Sequence, residues 1–166
     1  AFNLDTDYQK IFATDATYAE SPWSFMTPPN ETDLSKLRDR GGKLMIYHGA
    51  ADPIFSAADT TTWYEALQTA NNGNAASFAR YFMVPGMNHC QGGPGTDTFD
   101  KVGAMEEWIR TGAAPGRIEA SHQTNGVVDR TRPLCPFGQV ARWNGSGSTD
   151  DGANFACVAS TIGPAR

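Results

Sequence analysis

Apolar residues in the middle of the chain are arranged in two patterns that predict alternating strands and helices. The first pattern is a short apolar run with glycine on both sides, KLMIYH at residues 43–48, and it predicts a buried strand. A similar run, SFARYFMV at residues 77–84, predicts a second strand. The second pattern is helical spacing of apolar residues, and it follows each of the two runs.

Two helices are predicted after these strands. Ser56 and Asp59 form a capping box that begins the first helix, which ends near Gly73. The second helix is predicted over residues 98–111, with an apolar face made of Phe99, Val102, Met105, Trp108 and Ile109. The repeated order of strand, loop and helix predicts an α/β fold, in which parallel strands are flanked by helices.

The two ends of the chain lack such periodicity. Residues 1–32 have no sustained period, and a short helix is expected near residues 8–19, with another ending at Arg40. Beyond Ile118 the pattern weakens to short extended pieces and loops. The sequence therefore predicts three segments: an irregular lead-in at 1–32, an α/β part at 33–120, and a loop-rich tail at 121–166.

Composition limits the possible partners and suggests a larger parent domain. The net charge of -5 on 166 residues argues against nucleic acid or an anionic membrane as a partner. No apolar run approaches the roughly 20 residues of a membrane-spanning helix. Leu, Ile, Val and Phe make up only about 16% of the chain, below the roughly 20% typical of domains that close their own core. With no initiator Met, Ala1 is expected to be a cut end.

Three cysteines leave one without a partner. Cys135 and Cys157 flank an irregular stretch of the tail, and a disulfide between them could contribute about 3 kcal/mol by restricting the unfolded chain. Cys90 would then be a free thiol or be bonded to a segment outside this chain. The alternative is three buried, reduced thiols in a cytosolic protein.

Two residues suited to acid–base chemistry follow the predicted strands. Asp52 comes shortly after the first strand and His89 shortly after the second. Loops after the carboxyl ends of neighbouring parallel strands meet at one edge of the sheet, so we expect these side chains to lie close together. The carboxylate could then accept from one ring nitrogen and leave the other as a base. Alternatively, Asp52 forms only a turn before Pro53, and His89 is an ordinary exposed loop residue.

No nucleophile of a common type accompanies this pair. The G-x-S-x-G motif does not occur in the 166 residues, and Ser146 lies in the irregular tail. Cys90 is a poor candidate, because adjacent residues of an extended loop point to opposite sides and Cys90 would face away from His89.

Other chemistry is also weakly supported. His48, His89 and His122 lack the paired spacing of metal ligands. The GGPG sequence at residues 92–95 lacks the Lys and Ser or Thr of a phosphate-binding loop, and is better interpreted as a turn that allows close backbone approach. We therefore expect no metal and no cofactor in this chain.

Four stretches of the chain resemble the C-terminal part of the tannase/feruloyl esterase family. They are DLSKLRDRGGKLMIYHGAADPIFS, FARYFMVPGMNHCQGGPG, MEEWIRTGAAPGRIEA and RTRPLCPFGQVARWNGSGS, and the likeness covers about residues 33–158. The first 32 residues match only loosely. The resemblance implies that the chain is the C-terminal portion of an α/β-hydrolase fold, followed by an irregular tail tied by a disulfide.

The motifs of the family imply roles for particular residues. The catalytic Asp of the family follows an H-G-x-x-D-P pattern that falls on Asp52, and its catalytic His lies in a P-G-M-x-H-C pattern that falls on His89. The Cys after that His bridges to a Cys just before the nucleophilic Ser, so Cys90 would have its partner outside this chain. The tail disulfide of the family falls on Cys135 and Cys157.

The resemblance implies a secreted or periplasmic serine esterase that hydrolyses esters of aromatic acids such as ferulic or gallic acid. Asp52 would orient His89, which would activate a Ser supplied by the N-terminal part of the same protein. The lid of family members, and the calcium that it often binds, would also lie outside this chain. We expect the chain alone to be inactive for lack of the Ser. The alternative is an inert fragment or binding module that keeps the Asp52–His89 pair without turnover.

Overall fold

The computed structural model describes residues 2–161, and internal contacts divide the chain into two units, Ala1–Leu34 and Ser35–Arg166. The first unit contains α1, Leu4–Asp7, followed directly by a 3₁₀ helix, Tyr8–Phe12, and then α2, Pro22–Met26. The division after Leu34 lies close to the predicted end of the lead-in segment at residue 32.

Side-chain caps explain why helical structure in the first unit differs from the prediction. The Asn3 side chain accepts two backbone amides of the first turn, at 2.8 and 3.2 Å, and so begins α1. The Asp15 carboxylate accepts two amides just downstream of it, at 2.7 Å each. Because such local bonds compete with helical ones, helical structure ends at Phe12 instead of extending through the predicted range 8–19.

The predicted strands form a parallel pair in the second unit. The α-helices and strands from the start of this unit to its second strand are α3 (Ser35–Asp39), β1 (Leu44–Gly49), α4 (Ala57–Ala70) and β2 (Ala79–Val84). In the parallel register Leu44 lies opposite Ala79 and Gly49 lies opposite Val84. Both strands therefore end at the same edge of the sheet.

Helix α4 begins where the sequence predicts and packs on β2. The Ser56 hydroxyl accepts the amide of Ala58 at 3.2 Å, which caps the first turn. Tyr64 and Leu67 are buried, and the Tyr64 hydroxyl donates to the carbonyl of Ala79 at 2.8 Å. Burying one such side chain contributes about 1.5–3 kcal/mol, so this face holds the helix against the sheet.

The second long helix starts later than predicted. Residues Thr98–Phe99 form the short strand β3, and α5 spans Lys101–Thr111. The Asp100 carboxylate accepts the amide of Gly103 at 2.8 Å and caps the helix. The helix predicted over 98–111 therefore loses its first residues, because Thr98 and Phe99 pair with a neighbouring strand.

The apolar face predicted for α5 is only partly buried. Trp108 is fully buried, whereas Val102 and Ile109 are 63% and 67% exposed. The helix ends at Gly112, which adopts the left-handed conformation with φ of 74°. Among residues 2–161, no helix combines the length and apolarity needed to cross a membrane.

Four strands replace most of the loop-rich tail predicted for residues 121–166. They are β4, β5, β6 and β7, which span Ile118–Thr124, Val127–Leu134, Gln139–Trp143 and Phe155–Ala159. β3, β4 and β5 form one antiparallel sheet, and β6 pairs with β7 in another. Residues 162–166 of the predicted tail lie outside the described residues.

A disulfide joins two of these strands to each other, and a shared core ties the strands to the α/β part. Cys135, just after β5, is bonded to Cys157 in β7, which is the predicted pairing. One cluster of apolar side chains joins the end of β2 to β4 and β5: Phe82, Val84, Met87, Ile118, Ala120 and Leu134. The second unit consequently continues past the boundary predicted at residue 120.

Candidate active site

The loops that follow β1 and β2 are held together through their backbones. The amide of Ala51 donates to the carbonyl of Met87 at 3.0 Å. Gly49 lies so close to this second loop that a Cβ there would collide with the carbonyl oxygens of Met87 and Asn88. A glycine at the end of β1 therefore permits the approach that brings the two loops side by side.

This approach brings Asp52 and His89 into contact. His89 Nδ1 lies 2.8 Å from Asp52 Oδ2. The Asp52 side chain is only 4% exposed, whereas that of His89 is 41% exposed. Because an ionised carboxylate can only accept, Nδ1 carries the proton and Nε2 keeps its lone pair. Within residues 2–161 no hydrogen bond to Nε2 is found, so this nitrogen is available as a base.

The other carboxylate oxygen of Asp52 forms the turn expected of an Asp before Pro. Oδ1 accepts the amides of Ile54 and Phe55 at 2.8 and 3.0 Å. These bonds fix the carboxylate so that Oδ2 is directed at His89. The turn-forming role and the contact with His89 are therefore compatible, one on each oxygen.

The surroundings of Asp52 stabilise its charged form. Burial raises the pKa of this carboxyl, but the bond from His89 and the amides of Ile54 and Phe55 together hold its pKa well below the usual range. Asp52 is therefore ionised at neutral pH and can stabilise positive charge on the His89 ring.

A second histidine contacts the same carboxylate, a role that the sequence does not reveal. His48 Nε2 lies 3.2 Å from Asp52 Oδ2 and 3.2 Å from the carbonyl oxygen of Phe55. Both are acceptors, so Nε2 carries the proton, and the Thr60 hydroxyl donates to Nδ1 at 2.8 Å. The sequence signal for this contact is the His of the H-G-x-x-D-P pattern, which falls on His48, four residues before Asp52.

A cavity of about 150 Å³ opens above these groups. Its walls include Phe55, whose ring centroid lies 5.3 Å from that of His89, and Tyr47. Contrary to the expectation for an extended loop, Cys90 has a φ of 67° and lines the same cavity as His89, exposed and with a free thiol. No serine is among the residues that line this cavity in the described chain, and Ser146 lies in the exposed loop between β6 and β7.

The remaining sequence candidates lie outside this cavity. The third histidine, His122, is bonded to Asp129 at 2.6 Å on the β4–β5 hairpin. The glycines at 92–95 form a turn that is closed by its own bonds, with the Gly92 amide donating to Asp97 at 2.6 Å. In the described part of the chain, no group of three or more His, Cys, Asp or Glu side chains is placed to hold a metal ion.

The sequence profile of the family described as tannase and feruloyl esterase matches residues 2–158. The chain belongs to this family. The match includes most of the first 32 residues, which resemble the family only loosely by their motifs.

Curated relatives within the family are much longer than this chain. It is 50% identical to the mono(2-hydroxyethyl) terephthalate hydrolase of Piscinibacter sakaiensis over 163 residues, which cover 95% of the chain and 26% of the relative. It is 26% identical to feruloyl esterase B of Aspergillus niger over 91% of the chain and 35% of that protein. The chain thus spans about a quarter to a third of the length of these relatives.

Solved structures of family members share the fold. Feruloyl esterase B from Aspergillus oryzae matches with a TM-score of 0.69 and 29% identity, over 76% of this chain and 29% of that one. The tannin acyl hydrolase from Aspergillus niger also has a TM-score of 0.69, at 21% identity over 84% of this chain and 27% of that one, and supports the fold alone. Both matches lie within the α/β-hydrolase architecture.

Proposed function

We propose that this chain is the acid- and base-bearing C-terminal part of a serine carboxylic ester hydrolase that acts on esters of aromatic acids. The observation that carries the proposal is the 2.8 Å contact between His89 Nδ1 and the buried carboxylate of Asp52. It leaves His89 Nε2 open toward a cavity, which is the arrangement that a general base requires.

The nucleophile would be a Ser in the N-terminal part of the same protein. His89 Nε2 would take the hydroxyl proton as the Ser oxygen attacks the ester carbonyl, and Asp52 would stabilise the resulting imidazolium. The proton would then pass to the leaving alcohol, and an acyl-serine would remain. Water, activated by the same nitrogen, would release the acid and restore the Ser.

The aromatic part of the substrate class is supported by the relatives and by the walls of the cavity. Relatives are named as hydrolases of feruloyl esters and of mono(2-hydroxyethyl) terephthalate. Phe55 is 60% exposed, and its ring centroid lies 5.3 Å from that of His89, so it offers aromatic surface beside the reacting ring.

The cysteines support a secreted or periplasmic location. The disulfide between Cys135 and Cys157 is typical of proteins from oxidising compartments. The exposed thiol of Cys90, adjacent to His89, would be bonded to a Cys next to the nucleophilic Ser in the intact protein. Such a bond would hold base and nucleophile near each other.

The proposal is tested by combining this chain with the N-terminal part, or by using the intact protein, and by measuring release of ferulate from methyl ferulate. We expect no turnover by the chain alone. In the intact protein, His89→Ala should lower kcat/KM about 10⁴-fold or more, and Asp52→Asn about 10³- to 10⁴-fold.

The chain offers a matched control for these substitutions. His122 and Asp129 form another His–Asp pair on the β4–β5 hairpin, away from the cavity. His122→Ala should leave hydrolysis within about 2-fold of the wild type. Undiminished hydrolysis in His89→Ala would overturn the proposal, and tight substrate binding without turnover by the intact protein would support the binding module instead.

A further inference from the structure

A second and larger cavity lies outside the candidate active site. It has a volume of about 450 Å³ and is formed by the end of β2, residues 94–96, the end of β5, and β6. Pro85, Leu134 and Val140 contribute apolar walls. The volume falls within the range of small-molecule sites, which runs from roughly 300 to 1,000 Å³. This cavity shares no lining residue with the cavity above Asp52 and His89.

Two arginines line this otherwise apolar cavity. Arg130 and Arg132 occupy alternate positions of β5, so both side chains leave the same face of the strand. Arg130 donates to the carbonyl of Pro94 at 2.8 Å, and Arg132 donates to the carbonyl of Thr131 at 2.8 Å. Each guanidinium has five N–H groups, so most of their donors are left for another acceptor.

Neither arginine has an anionic partner in the described part of the chain. The salt bridges found within residues 2–161 do not include Arg130 or Arg132, and no Asp or Glu lines the cavity. The chain has a net charge of -5, so this pair of cations lies in an otherwise acidic chain. Two neighbouring positive charges without a carboxylate favour binding of an anion.

The two guanidinium groups are held in place by their surroundings. The Arg132 guanidinium lies 4.1 Å from the centroid of the Phe155 ring, in a cation–π contact. The bond from Arg130 to Pro94 joins β5 to the loop that follows β2. Because the groups are positioned before a ligand arrives, less conformational entropy is lost on binding.

We propose that this cavity is a binding site for a planar aromatic carboxylate. The ring would lie between the apolar walls at Pro85, Leu134 and Val140. The carboxylate would accept paired hydrogen bonds from Arg130 and Arg132, since the planar guanidinium fork matches the geometry of a carboxylate. The site is separate from Asp52 and His89, so it is independent of the proposed esterase function.

The experiment is a titration of the purified chain with benzoate, followed by amide shifts in ¹H–¹⁵N NMR spectra. We expect saturable binding with a Kd on the order of 1 mM, with the largest shifts at Leu134 and Val140. Benzamide, which has the same shape without the charge, should bind at least 10-fold more weakly. Inorganic phosphate, an anion without a ring, should also bind at least 10-fold more weakly.

Three substitutions locate the site. Arg130→Gln and Arg132→Gln should each weaken benzoate binding about 10-fold. Arg110→Gln is the matched control, because Arg110 lies on α5 and already pairs with Glu107. Arg130→Gln keeps the test decisive if loss of the Phe155 contact unfolds the Arg132 variant.

Several results would overturn the site. They are equal binding of benzamide and benzoate, shifts centred on His89 instead of β5, or unchanged affinity in a folded Arg130→Gln variant. Loss of benzoate binding in the intact protein would also overturn it, since another segment would then fill the cavity. None of these measurements depends on hydrolysis, so a failure here is distinguishable from a failure of the proposed esterase function.

Discussion

His48 of β1 and His89 of the loop after β2 contact the same oxygen of Asp52. His89 Nδ1 lies 2.8 Å from Oδ2 and His48 Nε2 lies 3.2 Å from it. His48 is in turn bonded to the Thr60 hydroxyl of α4 at 2.8 Å. A series of polar contacts therefore links Thr60 of α4, through His48 and Asp52, to the His89 ring.

These contacts predict that His48 positions the Asp52 carboxylate. His48→Phe removes the polar contact with the Asp52 carboxylate and the bond to Thr60, and should lower kcat/KM of the intact protein about 10-fold. His48→Gln can restore a donor near the position of Nε2 and should recover part of the activity. Activity of His48→Gln no higher than that of His48→Phe would contradict the positioning role.

Gly49, at the end of β1, is predicted to resist replacement because it lies against the loop that carries His89. In Gly49→Ala the new methyl group meets the backbone carbonyls of Met87 and Asn88, which cannot rotate away as a side chain would. We expect a loss of about 2 kcal/mol or more in the free energy of unfolding, measured in urea. Gly116 is the matched control, since nothing lies within 4 Å of a Cβ there. Equal stability of Gly49→Ala and Gly116→Ala would contradict this account.

The stability of the chain should depend on the ionisation of Asp52 at low pH. The folded-state pKa of Asp52 is depressed below its ordinary value. Its contribution is therefore fully present above the unfolded pKa of about 3.9 and is lost as the pH falls through the lower folded pKa. The difference in unfolding free energy between wild type and Asp52→Asn should be constant from about pH 5 down to about pH 4, and should decrease below that. A difference that stays constant to about pH 2 would disprove the linkage.

We expect the disulfide of the second unit to account for most of the difference in the free energy of unfolding between oxidised and reduced protein. Cys135 and Cys157 are 22 residues apart, and closing a loop of this length corresponds to about 3 kcal/mol in the chain-entropy model. The double variant Cys135→Ser, Cys157→Ser should lose about 2–4 kcal/mol in denaturant unfolding. Cys90→Ser, at the exposed free thiol, should change stability by less than about 0.5 kcal/mol. A similar loss of stability in the double variant and in Cys90→Ser would argue against assigning this contribution to the disulfide between Cys135 and Cys157.

The strands and helices nearest the site were predictable because their patterns are local. β1 and β2 are apolar runs bounded by turn residues, and Ser56 caps α4 through its own neighbourhood. Asp52 and His89 followed from the rule that parallel strands end at one edge. Family motifs on Asp52 and His89 gave the same pair.

Other features depend on contacts that a sequence pattern does not contain. β6 is exposed along its whole length and has no buried face, so alternation could not reveal it. Thr98 and Phe99 fit a helix locally but pair with Ser121 and Ala120 of β4. The role of His48 depends on Thr60 of α4 and on the carbonyl of Phe55, and only folding brings these two groups to its ring.

The main-chain bond from Ala51 to Met87 has a consequence for motion in the working protein. Because the turn that carries Asp52 is bonded to the turn that carries His89, we expect the two turns to move together. In the proposed mechanism, motion that changes reactivity would then occur between these two turns and the Ser hydroxyl.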